Sequence, residues 1–238
     1  MAINFPTSLD NFTNPSSGNT LDSPSHSLQH SDINDAVEAL ERKVGLGTAV
    51  AGSASAGQVL TISAAGTSTW STPSQGLTLI STTSFTAQSS VSLPAGTFSA
   101  TYKNYKILTN CSASVGTYLT ARLRTSGSDN TATAYTSGSN YVQYNPSGNP
   151  TSDNQSGVGN NWSRIAYMNA DDNQIETNLM NPFVTGKTSF YGFLNRATDS
   201  LIMMVGGSHS SSASFDSLTL IPFSGTITGS VSVYGFNI

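Results

Sequence analysis

The feature that most constrains the fold is a series of short β-prone stretches between residues 77 and 238, separated by turn residues. No stretch between them has a helical period of useful length. Short strands at this spacing predict an antiparallel β-sandwich, and the length of the region suits a jelly roll. The candidate strands cover residues 78–83, 103–110, 117–125, 163–168, 175–180, 188–194, 201–205, 216–221 and 226–236.

Two of these stretches show an explicit alternation of apolar and polar residues, as expected for strands with one face in a core. In the first, Leu119, Ala121 and Leu123 alternate with Thr120, Arg122 and Arg124. In the second, Ile227, Val231 and Val233 alternate with Thr228, Ser230 and Ser232. Residues 126–161 are rich in Gly, Ser, Asn and Tyr and predict a long loop, a feature that in compact domains is usually functional or mobile.

Residues 31–45 predict a helix with a coiled-coil seam. Ser31 is the candidate N-cap, and Gly45 supplies a stop signal. The apolar residues are spaced 4, 3 and 4 apart, which is the heptad pattern, and a lone helix of this length is marginal in water. We therefore predict self-association with parallel copies of the same helix, with a helix packed on its own domain as the alternative. The predicted seam comprises Ile33, Val37, Leu40 and Val44.

The rest of the N-terminal region predicts little structure of its own. Residues 1–30 contain prolines and isolated apolar residues without a period, which predicts an extended arm, or alternatively a disordered tail. Residues 46–76 predict a linker followed by a β-hairpin with its turn at 64–66. The predicted organisation is thus arm 1–30, helix 31–45, linker and hairpin 46–76, and β-sandwich head 77–238.

The charge distribution excludes several classes of function. Residues 1–45 hold six acids and two bases, which account for the whole formal charge of −4, and the remainder is balanced. No basic patch is present to neutralise phosphates, so nucleic acid is not an expected partner. No apolar run approaches the ~20 residues of a membrane span, and the first residues lack the pattern of a secretory signal.

Nothing in the sequence carries a catalytic signature, and we predict a non-enzyme without cofactor or metal. His26 and His30 precede the predicted helix, and His209 lies in a Gly/Ser segment. Around a three-fold axis, His26 or His30 from each chain could bind a metal, with a capping or packing role as the alternative. Acids from distant positions could still meet to hydrolyse glycosides, and a depolymerase is the enzymatic alternative.

The N-terminal segment resembles that of many virion proteins of tailed bacteriophages. The resemblance rests on FPTSLDNFTNP (5–15), TLDSPSH (20–26) and DINDAVEALERKVG (32–45), with weaker likeness in AGQVLT (56–61) and GTITGSVSVYG (225–235). It implies a homotrimer on the virion surface, made in the host cytoplasm, whose N-terminus docks on other virion proteins of the tail, the baseplate or the major capsid. The anchoring residues on this reading are Phe5, Leu9, Phe12 and Leu21.

Two functions are consistent with this resemblance. The first is a tail fibre or receptor-binding appendage whose head contacts host-surface polysaccharide. The second is a capsid decoration protein, because a stalk this short is modest for reaching a receptor. Aromatic faces stack on sugar rings, and the candidate glycan contacts in or beside the long polar loop are Tyr135, Tyr141, Tyr144 and Trp162.

Overall fold

The computed structural model describes residues 18–22, 25–44, 54–62, 68–73, 76–143, 151–196 and 200–236. The chain divides into two compact units, Met1–Ser74 and Gln75–Ile238. The described part of the first unit contains helix α1 (His26–Val44) and strands β1 (Val59–Ile62) and β2 (Ser68–Ser71). The second unit contains β3 (Leu77–Gln88), β4 (Val91–Ser92), β5 (Asn104–Ala113), β6 (Thr117–Thr125), β7 (Ser128–Asp129), β8 (Tyr135–Gln143), β9 (Thr151–Gly159), β10 (Trp162–Met168), β11 (Asn173–Met180), β12 (Gly186–Arg196), β13 (Leu201–Ala213), β14 (Ser217–Pro222) and β15 (Ile227–Phe236).

Helix α1 begins five residues earlier than the sequence predicted. The hydroxyl oxygen of Ser25 accepts a hydrogen bond from the Leu28 N–H at 3.4 Å, and the Ser25 carbonyl accepts one from Gln29. Ser25 is therefore the N-cap, because its side chain satisfies a free N–H of the first turn. The predictions of Ser31 as the cap and of an extended arm reaching residue 30 are wrong. Gly45 lies outside the described residues.

The predicted hairpin is confirmed. Strands β1 and β2 pair antiparallel from Val59 opposite Ser71 to Ile62 opposite Ser68. The Thr61 hydroxyl lies 3.0 Å from that of Ser71 and 3.1 Å from the Thr69 carbonyl oxygen, which ties the two strands together across their polar face. The predicted turn at 64–66 lies outside the described residues.

The head is an antiparallel β-sandwich, as predicted. One sheet has eight strands in the order β3-β15-β5-β11-β12-β13-β8-β9, and we call it the large sheet. The other has five strands in the order β10-β6-β14-β4, with β7 paired to β6, and we call it the small sheet. The structure is mainly β, and α1 is the one helix among the described elements.

The strand order is that of a jelly roll with one insertion. In an eight-stranded jelly roll, strands 1-8-3-6 form one sheet and strands 2-7-4-5 form the other. Here β4-β14-β6-β10 take the first order, and β5, β8 and β9 take positions 2, 4 and 5 of the second. The meander β11-β12-β13 occupies the place of strand 7, and β3 and β15 extend the sheet beyond β5. The two additional strands of the meander and the pair β3 and β15 together widen the large sheet from four strands to eight.

The core lies between the two sheets, and the predicted alternation sets its composition. Leu119 and Leu123 of β6 and Val231 and Val233 of β15 are fully buried. Arg122 and Arg124 point away from the core at intermediate exposure. The alternating pattern therefore identified the correct inward face of both strands.

The predicted loop 126–161 contains the short strand β7 and the two long strands β8 and β9 instead. Strand β8 pairs with β13 from His209 opposite Tyr135 to Leu201 opposite Gln143, and β9 pairs with the free edge of β8. The Ser, Gly and Asn residues of these strands are poor strand formers alone. Backbone hydrogen bonds between β8 and β13 stabilise the strand despite the low strand propensity of these residues, so tertiary context outweighs local composition.

Candidate functional surfaces

The predicted seam of the helix is a stripe of half-exposed apolar residues. Ile33, Val37 and Leu40 are 53%, 50% and 51% exposed, and their spacing places them on one face. The side chain of Val44 lies outside the described residues. Apolar side chains left half in water are the type that association with another helix would bury.

The earlier start of the helix extends the same spacing toward the N-terminus. His26 and His30 precede Ile33 by seven and three residues, so both continue the heptad pattern. Their rings meet edge to face with centroids 4.4 Å apart. Among the described residues, no group of three or more His, Cys, Asp or Glu could hold a metal ion. The described residues therefore supply no third ligand of these types beside the two imidazoles.

The predicted anchoring residues fall mostly outside the described part of the chain. Phe5, Leu9 and Phe12 lie there, and their role remains a prediction. Leu21 is described and is 74% exposed, while its carbonyl oxygen accepts a hydrogen bond from the His26 N–H at 2.9 Å. The backbone of Leu21 is thus tied to the start of the helix, and its side chain is left exposed.

Two of the predicted glycan contacts are core residues instead, and that prediction is wrong for them. Trp162 is 2% exposed, packs against Phe190 and donates its indole N–H to the Ser208 carbonyl at 3.1 Å. Tyr135 is fully buried, and its hydroxyl accepts from the Leu123 N–H at 3.0 Å. Both large rings fill the space between the sheets, where a saccharide has no access.

Of the two remaining glycan candidates, only Tyr141 belongs to the described residues, and it is partly buried. Tyr141 lies opposite Met203, a fully buried residue, so it is on the inward face of β8 and packs against the core. Tyr144 lies outside the described residues. Sequence reasoning could not assign these faces, because the segment lacks the apolar–polar alternation that reveals which side of a strand is buried.

The buried centre around Tyr135 contains the one histidine of the head. His209 is fully buried, with its Nε2 3.3 Å from the Asn130 Oδ1 and its ring edge-on to Tyr135 and Phe215. Its Nδ1 has no hydrogen-bond partner in the described residues. Burial lowers the pKa of His209, because the charged imidazolium would lose its hydration. The ring is thus held neutral inside an aromatic cluster.

The side chains of Cys111 and Asn173 in the head also have structural roles. Cys111 is buried, its thiol faces the Met168 sulfur at 3.5 Å, and burial raises its pKa to about 11. The Asn173 amide points inward and donates to the carbonyls of Cys111 and Asp171 at 2.9 and 2.6 Å. Because its thiol stays protonated, Cys111 is a poor nucleophile. The hydrogen bonds of Asn173 stabilise the turn before β11.

The outward faces of the two sheets differ in chemistry. The small sheet presents Tyr118, Arg122 and Arg124. The large sheet presents half-exposed aromatic and aliphatic side chains from the meander and β8, which sequence reasoning missed: Tyr191 (49%), Phe193 (45%), Ile202 (58%), Met204 (57%) and Val142 (48%). Of these, Tyr191 and Phe193 alternate with buried residues of β12, and that alternation in YGFLN was the available signal.

Comparison with known proteins identifies no family for this chain, so its class has to be inferred from its fold and surfaces. No protein-family model matches the sequence, and no curated protein matches it significantly. No helix in the described residues has the length and apolarity needed to cross a bilayer. What the geometry defines is a jelly-roll head together with a helix that carries a half-exposed apolar stripe.

Proposed function

We propose that this chain is a structural component of the bacteriophage virion surface, assembled as a homotrimer. The half-exposed stripe of Ile33, Val37 and Leu40 is the observation that carries the proposal. Its heptad spacing fits parallel association of identical helices, and the stripe continues N-terminally to His26. The location on the virion is proposed because the N-terminal sequence resembles that of tailed-phage virion proteins.

In the proposed assembly, the segment before the helix docks on other virion proteins and the head faces outward. The head can fold around its own core, since its two sheets bury a continuous cluster that includes Phe98, Leu119 and Val231. A head that is complete in itself suits display on a particle, because it needs the N-terminal region only for tethering.

The leading form of the proposal is a tail fibre or receptor-binding appendage that contacts host-surface polysaccharide. Support comes from the large sheet, whose outward face offers Tyr191 and Phe193 for stacking against sugar rings. Lys106 and Glu176 of the same sheet form an ion pair at 2.7 Å, so their two charges compensate each other.

The second candidate is a capsid decoration protein with a passive head. The specific observation in its favour is the short stalk: α1 has 19 residues, equivalent to a length of about 28 Å, and the strands of the hairpin have four residues each. On this form of the proposal, the docking partner is the major capsid protein.

Antibody labelling and gel densitometry of purified particles test the proposal and separate its two forms. A few tens of copies or fewer at the tail end support the fibre, and hundreds of copies over the head support decoration. A chain absent from purified particles but present in the infected-cell lysate contradicts the proposal in both forms.

A further inference from the structure

The outward face of the large sheet contains a trough whose polar groups are arranged across three neighbouring strands. Asn110 on β5, Gln174 on β11 and Asn195 on β12 lie directly opposite one another in the strand register. All three side chains are exposed, and none has a hydrogen-bond partner in the described residues. A row of three unpaired amides offers both donors and acceptors to a ligand.

The next row of the same face adds an aromatic ring and a fixed carboxylate. Leu108, Glu176 and Phe193 lie side by side on β5, β11 and β12. Together with the amide row they line an open trough of about 450 Å³. Phe193 is 45% exposed, so part of its ring is available for stacking.

Glu176 is held in place before any ligand arrives. Its Oε1 accepts from the Lys106 Nζ at 2.7 Å and from the Asn178 Nδ2 at 3.0 Å. The hydrogen bond from Lys106 holds the pKa of Glu176 below its ordinary value, so the group is a carboxylate at neutral pH. Its Oε2 has no partner within the described residues and can accept a hydrogen bond from a hydroxyl group.

We propose that this trough binds a neutral saccharide, with Phe193 stacked against a sugar ring and the amide row and Glu176 bonded to its hydroxyl groups. The strand spacing of ~4.8 Å is close to the length of one hexose unit, roughly 5 Å, so successive sugars can meet successive strands. An anionic ligand does not fit, because the described residues that line the trough include a carboxylate and no Lys or Arg, and the charge of nearby Lys106 is already paired with Glu176.

A second copy of the head is the competing occupant, since Tyr191, Ile202 and Met204 border the trough. The amide row disfavours it. Three adjacent amides and a carboxylate oxygen would all have to find partners in a dry interface, where each unpaired polar group costs free energy. A saccharide can form hydrogen bonds with all of these groups, because it carries many hydroxyl groups.

The inference deepens the receptor-binding form of the proposed function and rests on it. Isothermal titration of the full-length protein is the test, with neutral hexasaccharides of glucose, mannose, N-acetylglucosamine and rhamnose as probes. We expect binding of at least one hexasaccharide. Phe193→Ala and Gln174→Ala should each weaken that binding by about tenfold or more, because each removes a direct contact.

Gln88→Ala is the matched control, because Gln88 is an exposed amide at the end of β3 in the same sheet, outside the trough. It should leave binding unchanged. Failure of all four hexasaccharides to bind overturns the inference, and so does an equal loss in the control. A fall in assembly mass with Phe193→Ala also overturns it, by making the face an interface between copies. Particle labelling is unaffected by these outcomes, so failure here is distinguishable from failure of the virion proposal.

Discussion

The helix and the head differ in how far their large apolar side chains are buried. The head encloses its large residues, such as Trp162 and Tyr135, between two sheets and leaves them at 2% exposure or less. The helix leaves Ile33, Val37 and Leu40 about half exposed. The difference teaches that the head encloses an apolar core of its own, whereas the helix keeps an apolar stripe in contact with water, which we propose is buried by copies of the same helix.

The largest effect is expected from opening the core of the head. Trp162→Ala removes a buried ring that packs against Tyr135 and Phe190, and such truncations cost about 3–5 kcal/mol. Chemical denaturation followed by near-UV circular dichroism measures the free energy of unfolding. Phe193→Ala is the control at a half-exposed site and should cost far less; equal costs would contradict the assigned core.

The next effect concerns association, and it should leave the head intact. Leu40→Asp places a charge on the apolar stripe of every copy, where burial would strip its hydration. We expect light scattering to report monomers while near-UV circular dichroism of the head stays unchanged. Ser31→Asp, an exposed position off the stripe, should leave the assembly mass at its wild-type value. A trimeric Leu40→Asp variant would mean that association resides elsewhere.

A moderate effect on the stability of the head is expected from acid, through His209. The pKa of His209 is lowered in the fold, so its contribution to stability is complete above the unfolded value of about 6.5. Below that pH the unfolded chain takes up a proton that the folded ring resists, and stability falls toward the folded pKa. Thermal melts at pH 7.5 and 5.5 should show a smaller loss in His209→Gln than in the wild type.

The smallest effect is expected at the surface of the large sheet. Lys106→Met removes the ion pair with Glu176, whose side chains are 24% and 38% exposed. Partly exposed pairs of this kind contribute roughly 0.2–1 kcal/mol. Denaturation in low and high salt should show a small destabilisation that salt diminishes. A loss as large as that of Trp162→Ala would require a structural role that the geometry does not give this pair.

The sequence predicted the fold wherever the pattern was strong. Strands such as β6 and β15 were identified with their inward faces, because apolar and polar residues alternate along much of each strand. Strands β8 and β9 were missed, since segments such as Ser137 to Asn140 are typical of turns and gain their structure from pairing with β13. The helix start was misplaced because both Ser25 and Ser31 are plausible caps, and the choice depends on backbone geometry.

The surfaces were predictable only in part. The stripe followed directly from heptad spacing, which needs no tertiary information. The amide row could not be predicted, since Asn110, Gln174 and Asn195 are far apart in the sequence and meet only through strand register. Tyr135 and Trp162 were misassigned because aromatic residues in a polar segment suit either a ligand site or a core.

The most direct test of the central claim is the mass of the purified full-length protein in solution, by sedimentation equilibrium. The account predicts an assembly of three 24.8-kDa chains that dissociates to folded monomers in Leu40→Asp. A wild-type protein that sediments as a monomer would contradict it, because the apolar stripe of the helix would then have no partner.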